Sequence, residues 1–184
     1  MFQPCRELKD SYHFTSNRLG FRNWIESDIL PLASINADKE TMRFFPSVQS
    51  EKQTREFISR MQKQFDQKNY CYFAVDLIET SSFIGFIGLS DQNYPSDFTP
   101  CTDIGWRLDK RYWFKGYATE GAAACITHAK TNLNLPEIYA VASQINKTSI
   151  RVMEKIGMQY LRNFEHPLLI KDERLKNCVL YTKI

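Results

Sequence analysis

The stretch Trp113-Phe114-Lys115-Gly116-Tyr117-Ala118-Thr119-Glu120-Gly121 has the composition and setting of an anion site. It follows a run, Cys101 to Leu108, that reads as a strand, and it opens the best helical segment of the chain, Ala118 to about Lys130. The first N–H groups of a helix have no intrahelical partner, and the positive end of the helix dipole points the same way. A tight glycine turn at that point therefore receives an anion, most often a phosphate. Metal chemistry has no comparable pattern. The three histidines, His13, His128 and His166, lie far apart and form no ligand motif. The five cysteines, Cys5, Cys71, Cys101, Cys125 and Cys178, are odd in number and show no CxxC spacing. That argues against a disulfide framework and a zinc site, and for small buried hydrophobes in a reducing compartment.

The elements that must position this turn are readable from periodicity. Leu19 to Trp24 alternates as a strand, and a helix starts near Ile29 after Ser27 or Asp28. Phe44 and Phe45 fall in a loop. Ser50 and Gln53 form a capping-box pattern ahead of a helix from Glu51 to about Asp66, with Phe57, Ile58, Met61 and Phe65 on one face. Tyr70–Leu77 and Ser82–Leu89 read as a hairpin, with Gly85 and Gly88 marking a bulge or a close backbone approach. After the central helix comes a strand, Ile138 to Ala142, and then a helix from Asn146 to about Ile156 that Gly157 stops. Met158–Arg162 and Asn177–Thr182 are the last strands, with a mostly polar loop between them. The order is β-α-α-β-β-β-α-β-α-β-β, which predicts one α/β (α+β) domain with a mixed central sheet flanked by helices. Residues 1–16 read as a lead-in and 17–184 as the domain.

With 184 residues, 43% apolar and 24% charged, the chain has the composition of a globular protein with a sizeable core. A net charge of +3 with scattered Lys and Arg disfavours nucleic acid. No transmembrane run or signal-peptide pattern is present, so a cytoplasmic location without a membrane partner is expected.

Two further segments identify a resemblance. Asn146-Lys147-Thr148-Ser149-Ile150-Arg151-Val152-Met153-Glu154-Lys155-Ile156-Gly157-Met158 is similar to the Asn-x-x-Ser…Glu-Lys-x-Gly-Phe segment of the GNAT superfamily of acetyl-CoA-dependent N-acetyltransferases, in its RimJ/RimL-like branch. Trp113 to Ala118 resembles that superfamily's pyrophosphate loop, with Gly116 and Ala118 matching and Trp113 replacing Gln/Arg. Asp103-Ile104-Gly105-Trp106-Arg107-Leu108 resembles the strand that splays from its neighbour to admit the pantetheine arm. The resemblance spans about Leu19 to Ile184. It implies that backbone groups of Trp106, Arg107 and Leu108 pair with the arm, and that Trp113, Phe114, Lys115, Gly116, Tyr117 and Ala118 cradle the pyrophosphate. Asn146 and Ser149 then complete the cofactor site. Phe114 stands where the branch often has glycine, and an ordinary φ is expected for it.

The implied reaction is direct attack of an amine on the acetyl thioester, with no metal. The acceptor expected from the resemblance is a protein N-terminal α-amine or a small-molecule amine, and a monomer or a homodimer is expected. Many superfamily members carry a tyrosine acid where this chain has Met153. By resemblance to the branch, Ser149 instead orients or protonates the leaving thiolate, although it also reads as a plain first-turn serine. Asp103 is the candidate base, and it also reads as a charge at a strand start. Glu120, in the first turn of a helix, is read as structural. Trp24, Phe44 and Phe45 serve either an acceptor pocket or the core. The competing function is a non-catalytic acyl-CoA-binding module. A flavin or NAD enzyme is disfavoured because no GxGxxG follows the first strand.

Overall fold

The computed structural model describes residues 12–183. Eight strands form a single sheet in the order β1-β2-β3-β4-β5-β6-β8-β7. They are β1 (Phe14–Thr15), β2 (Leu19–Arg22), β3 (Tyr72–Leu77), β4 (Ser82–Gln92), β5 (Cys101–Leu108), β6 (Ile138–Ser143), β7 (Gln159–Glu165) and β8 (Asn177–Lys183). The helices are α1 (Ile29–Ala37), α2 (Glu51–Lys68), α3 (Tyr117–Thr131) and α4 (Lys147–Lys155). This is the expected mixed sheet with helices on both faces. Phe57 of α2 packs on Phe86 and Tyr72, with ring centroids 5.0 and 6.3 Å away. The other face belongs to α3, where a Cβ on Gly121 would lie 2.3 Å from Ile87 Cδ1. The β5-α3-β6 and β6-α4-β7 crossovers run in the same direction across the sheet, and α4 lies beside α3.

Local sequence explains most of these elements. The Ser50–Gln53 capping box forms at the start of α2, and Ile58 and Met61 are buried beneath it. Gly157, with φ +74°, follows α4 as its stop. At Gly85, φ +132° accompanies the register shift between β3 and β4, a bulge that glycine permits. Two differences from expectation have long-range causes. β7 runs to Glu165, three residues further than predicted, because its polar tail pairs with β8 along a sheet edge open to solvent. Within the stretch read as lead-in, Phe14–Thr15 is a strand on β2, and the Phe14 ring stacks on Phe21 at 4.3 Å and on His128 at 4.2 Å. The other part of that stretch, residues 1–11 with Cys5, lies outside the described residues.

One interruption of the sheet shapes the molecule. Every neighbouring pair is antiparallel except β5 and β6, which are parallel and share a single register pair, Asp103 with Tyr139. Beyond it the strands diverge toward Leu108, as expected from the resemblance. The C-terminal end of β5 therefore has an unpaired edge where α3 and α4 begin, the position at which open α/β sheets bind ligands.

Candidate functional site

The split opens into a cleft of about 430 Å³. It is lined by the α1–α2 loop from Thr41 to Phe45, the end of β5, the α3 turn and the first turns of α4. Trp106, Arg107, Leu108, Trp113, Phe114, Gly116, Tyr117, Ala118, Asn146 and Ser149 all line it. Lys115 does not; its ammonium lies 5.5 Å from the Tyr112 ring centroid. Asp103 is also not among the lining residues.

Gly116 is the N-cap of α3, with φ +83° and ψ 0°, and no side chain caps the helix. The N–H groups of the first turn are thus left for a ligand. A Cβ on Gly116 would meet nothing nearer than Arg18 Nη2 at 3.5 Å, so glycine is required here for its φ and not for room. Phe114 corrects an expectation: its φ is +59°, not ordinary, and its side chain is 89% exposed. A left-handed residue other than glycine costs roughly 1–2 kcal/mol. The turn is held in that shape by Trp113, whose Nε1 donates to the Leu108 carbonyl at 2.8 Å, and Arg43 lies over the indole at 4.9 Å. That same bond occupies one acceptor site on Leu108, part of the edge expected to pair with the pantetheine arm. Glu120 is structural, as expected: its carboxylate accepts from Ser16 Oγ and from the N and Nε of Arg18, each at 2.7 Å.

Facing this turn, Asn146 caps α4. Its Oδ1 accepts from Ser149 N at 3.2 Å and from Thr148 Oγ1 at 2.9 Å. The Asn146 Nδ2 and the Ser149 hydroxyl have no side-chain or backbone partner among the described residues, and both residues border the cleft. Met153 is buried in the core, so nothing reaches the cleft from the position where many superfamily members carry tyrosine. Asp103 is half-buried, and its Oδ1 accepts from Tyr72 Oη at 2.5 Å and from Gln92 Nε2 at 3.1 Å. Burial pushes its pKa up to about 6, against the pull of those two bonds. This enclosed carboxyl differs from the simple surface charge that Asp103 also resembled in the sequence. Trp24 belongs to the core, with Nε1 donating to the Tyr72 carbonyl at 2.8 Å, while Phe44 and Phe45 line the cleft.

Several cleft residues were not identified from sequence. Thr148, Arg151 and Lys155 recur on one face of α4 at helical spacing, a signal that was available. Arg43 comes from a loop without periodicity and left no such signal. No Asp or Glu lines the cleft among the described residues, whereas Arg43, Arg107, Arg151 and Lys155 do. An anionic ligand fits that lining. No group of three or more His, Cys, Asp or Glu among the described residues is placed to hold a metal.

Comparisons with known proteins agree with this geometry. Residues 18–159 match the family described as Acetyltransferase (GNAT) domain. The chain is 30% identical over 148 residues to the uncharacterized N-acetyltransferase YnaD of Bacillus subtilis strain 168, covering 80% of this chain and 82% of that protein. Among solved structures, a GNAT-family acetyltransferase from Bacillus anthracis superposes with a TM-score of 0.76 at 26% identity, covering 92% of this chain and 96% of that one. RimL, the ribosomal L7/L12 alpha-N-protein acetyltransferase, in complex with coenzyme A, shares the fold at a TM-score of 0.73 and 16% identity, over 92% and 95% of the two chains.

Proposed function

This chain belongs to the GNAT family of acetyltransferases, and we propose that it moves an acetyl group from acetyl-CoA to a primary amine, either a protein N-terminal α-amine or a small-molecule amine. The observation that carries this reading is the uncapped Gly116 turn facing Asn146 and Ser149 across the β5–β6 split, in a cleft that cations line and, among the described residues, no carboxylate does. The likeness of the segment Asn146 to Met158 to the RimJ/RimL-like motif supports a reading within that branch. The buried free thiols of Cys71, Cys125 and Cys178 fit a reducing, cytoplasmic compartment.

Acetyl-CoA supplies an acyl carbon activated as a thioester. Backbone N–H groups at the start of α3 hold its pyrophosphate, and the free β5 edge and the Asn146 amide orient its arm. The amine must arrive neutral. An α-amine, with a pKa of about 7.7–8.0, does so with little assistance at neutral pH. As the N–C bond forms and the C–S bond breaks, the amine loses a proton and the sulfur gains one. Asp103, ionised above about pH 6, takes the amine proton through water, since it stands outside the cleft lining. The Ser149 hydroxyl donates a hydrogen bond to the departing sulfur. A serine is a poor acid, so its part is to steady the thiolate until solvent protonates it.

Thiol release measured with acetyl-CoA and a panel of amines tests this. Ser149→Ala should lower kcat by about tenfold or more while CoA affinity changes by less than about threefold. Equal rates for the two proteins would end the role of Ser149. A protein that CoA does not stabilise against heat would end the cofactor assignment.

A further inference from the structure

Arg107 leaves β5 on the α1–α2 face of the sheet, paired in register with Phe86, and is only 9% exposed. Its Cζ lies 4.1 Å from the ring centroid of Phe45 and 5.3 Å from that of Phe86. Its Nη1 donates to Asn36 Oδ1 at 2.6 Å. Asn36 is fully buried and its Nδ2 donates to Thr54 Oγ1 at 2.9 Å, which fixes the amide with its oxygen toward the guanidinium. Arg107 is thus held from behind by one bond, and its Nε is buried without a partner. No carboxylate pairs with it among the described residues, and burial lowers its pKa only to about 10, so it stays charged at neutral pH. A buried guanidinium normally has a counter-ion, because an unpaired buried charge is expensive. Here the cation borders the cleft, and no acid among the described residues lines the cleft to neutralise it.

We infer that the acceptor brings the missing counter-ion: it is an amine that also carries a carboxylate, as a free amino acid does, and Arg107 binds that carboxylate. This rests on the acetyl-transfer reading and narrows its acceptor. A planar fork of N–H donors with aromatic rings lying over it is reached through its edge, and that geometry matches a planar carboxylate. The pyrophosphate has its own cradle at Gly116, at the start of α3 on the opposite face of the sheet from Phe45 and Asn36. Arg107 lies with Phe45 and Asn36 on the other face, away from that cradle. A cationic cleft wall of this kind also works against polyamine acceptors.

The test is thiol release from acetyl-CoA by the wild-type protein with the common amino acids, the amide of each, the corresponding decarboxylated amines, phosphoethanolamine and spermidine. The amides have the less basic amines and react faster unless the carboxylate is itself bound. The expected result is a kcat/KM at least tenfold higher for one or more amino acids than for the matching amide, with the preference falling below about threefold in Arg107→Gln. Equal or faster reaction of the amides, turnover confined to spermidine or phosphoethanolamine, or a preference that survives in Arg107→Gln would overturn the inference. If Arg107→Gln does not fold, the wild-type acid-to-amide ratio decides alone. No thiol release with any amine, from a protein that binds CoA, would instead overturn acetyl transfer and this inference with it.

Discussion

Two buried arginines on this sheet have opposite surroundings. Arg22, at the end of β2, is 5% exposed and uses all five of its N–H donors. It meets Asp28 through Nη1 at 2.6 Å and Nη2 at 2.9 Å, Asp76 through Nε at 2.7 Å and Nη2 at 2.9 Å, and the Asn23 carbonyl at 3.2 Å. Burial would lower its pKa, but the bonds to Asp28 and Asp76 raise it on balance. Arg107 is almost as buried, yet it has one neutral partner, and burial lowers its pKa. Arg22 joins the entry to α1 with β2 and β3, so its charge is satisfied by folding. Arg107 stands at a cleft, and its charge is left over. Buried charge alone therefore does not mark a site. What marks it is a buried charge that the fold does not neutralise and that a ligand can reach.

The same substitution at both positions separates them most strongly. Arg22→Leu strands two buried carboxylates and should lower the unfolding free energy by about 3–5 kcal/mol, whereas Arg107→Leu orphans no charge and should stay within about 1 kcal/mol of wild type in either direction. Urea denaturation of the two variants checks this; comparable losses would mean that Arg107 has a structural counter-ion after all.

Asp103 sharpens the contrast as an enclosed acid without a cation. Its folded pKa, about 6, lies above the ordinary 3.8. Between those values the native state holds a proton that the unfolded chain has lost, so this group makes stability fall as pH rises from about 4 to about 6. Asp103→Asn should remove that decline from the pH–stability curve, and should also remove a rise in kcat/KM near pH 6 if water links the carboxylate to the amine. An unchanged curve would put the titration elsewhere. The smallest effect concerns strain rather than charge. Phe114→Gly relieves roughly 1–2 kcal/mol of left-handed backbone strain but adds about 0.5–1 kcal/mol of unfolded-chain entropy. A net gain between zero and about 1.5 kcal/mol is expected in denaturant titration, and Phe114→Ala should show none of it; a loss in Phe114→Gly would mean that the exposed ring packs in solution.

The amino-acid sequence by itself determined the local features. The Ser50–Gln53 box, the Gly157 stop, the Asn146 cap and the Gly116 turn each follow from residues a few positions apart, where hydrogen-bond geometry is short-range. The hairpin and the two crossovers then restrict the sheet to few topologies, which is why the fold and the glycine-turn end of the cleft were legible. Tertiary structure decided the rest. That Phe45 lines the cleft while Trp24 fills the core depends on how a loop folds over β5. That Arg22 is neutralised and Arg107 is not depends on Asp28, Asp76 and Asn36, which neither propensity nor periodicity links to them. Electrostatic balance at a buried group is a sum over neighbours in space, and a linear pattern carries no record of that sum until the chain has folded.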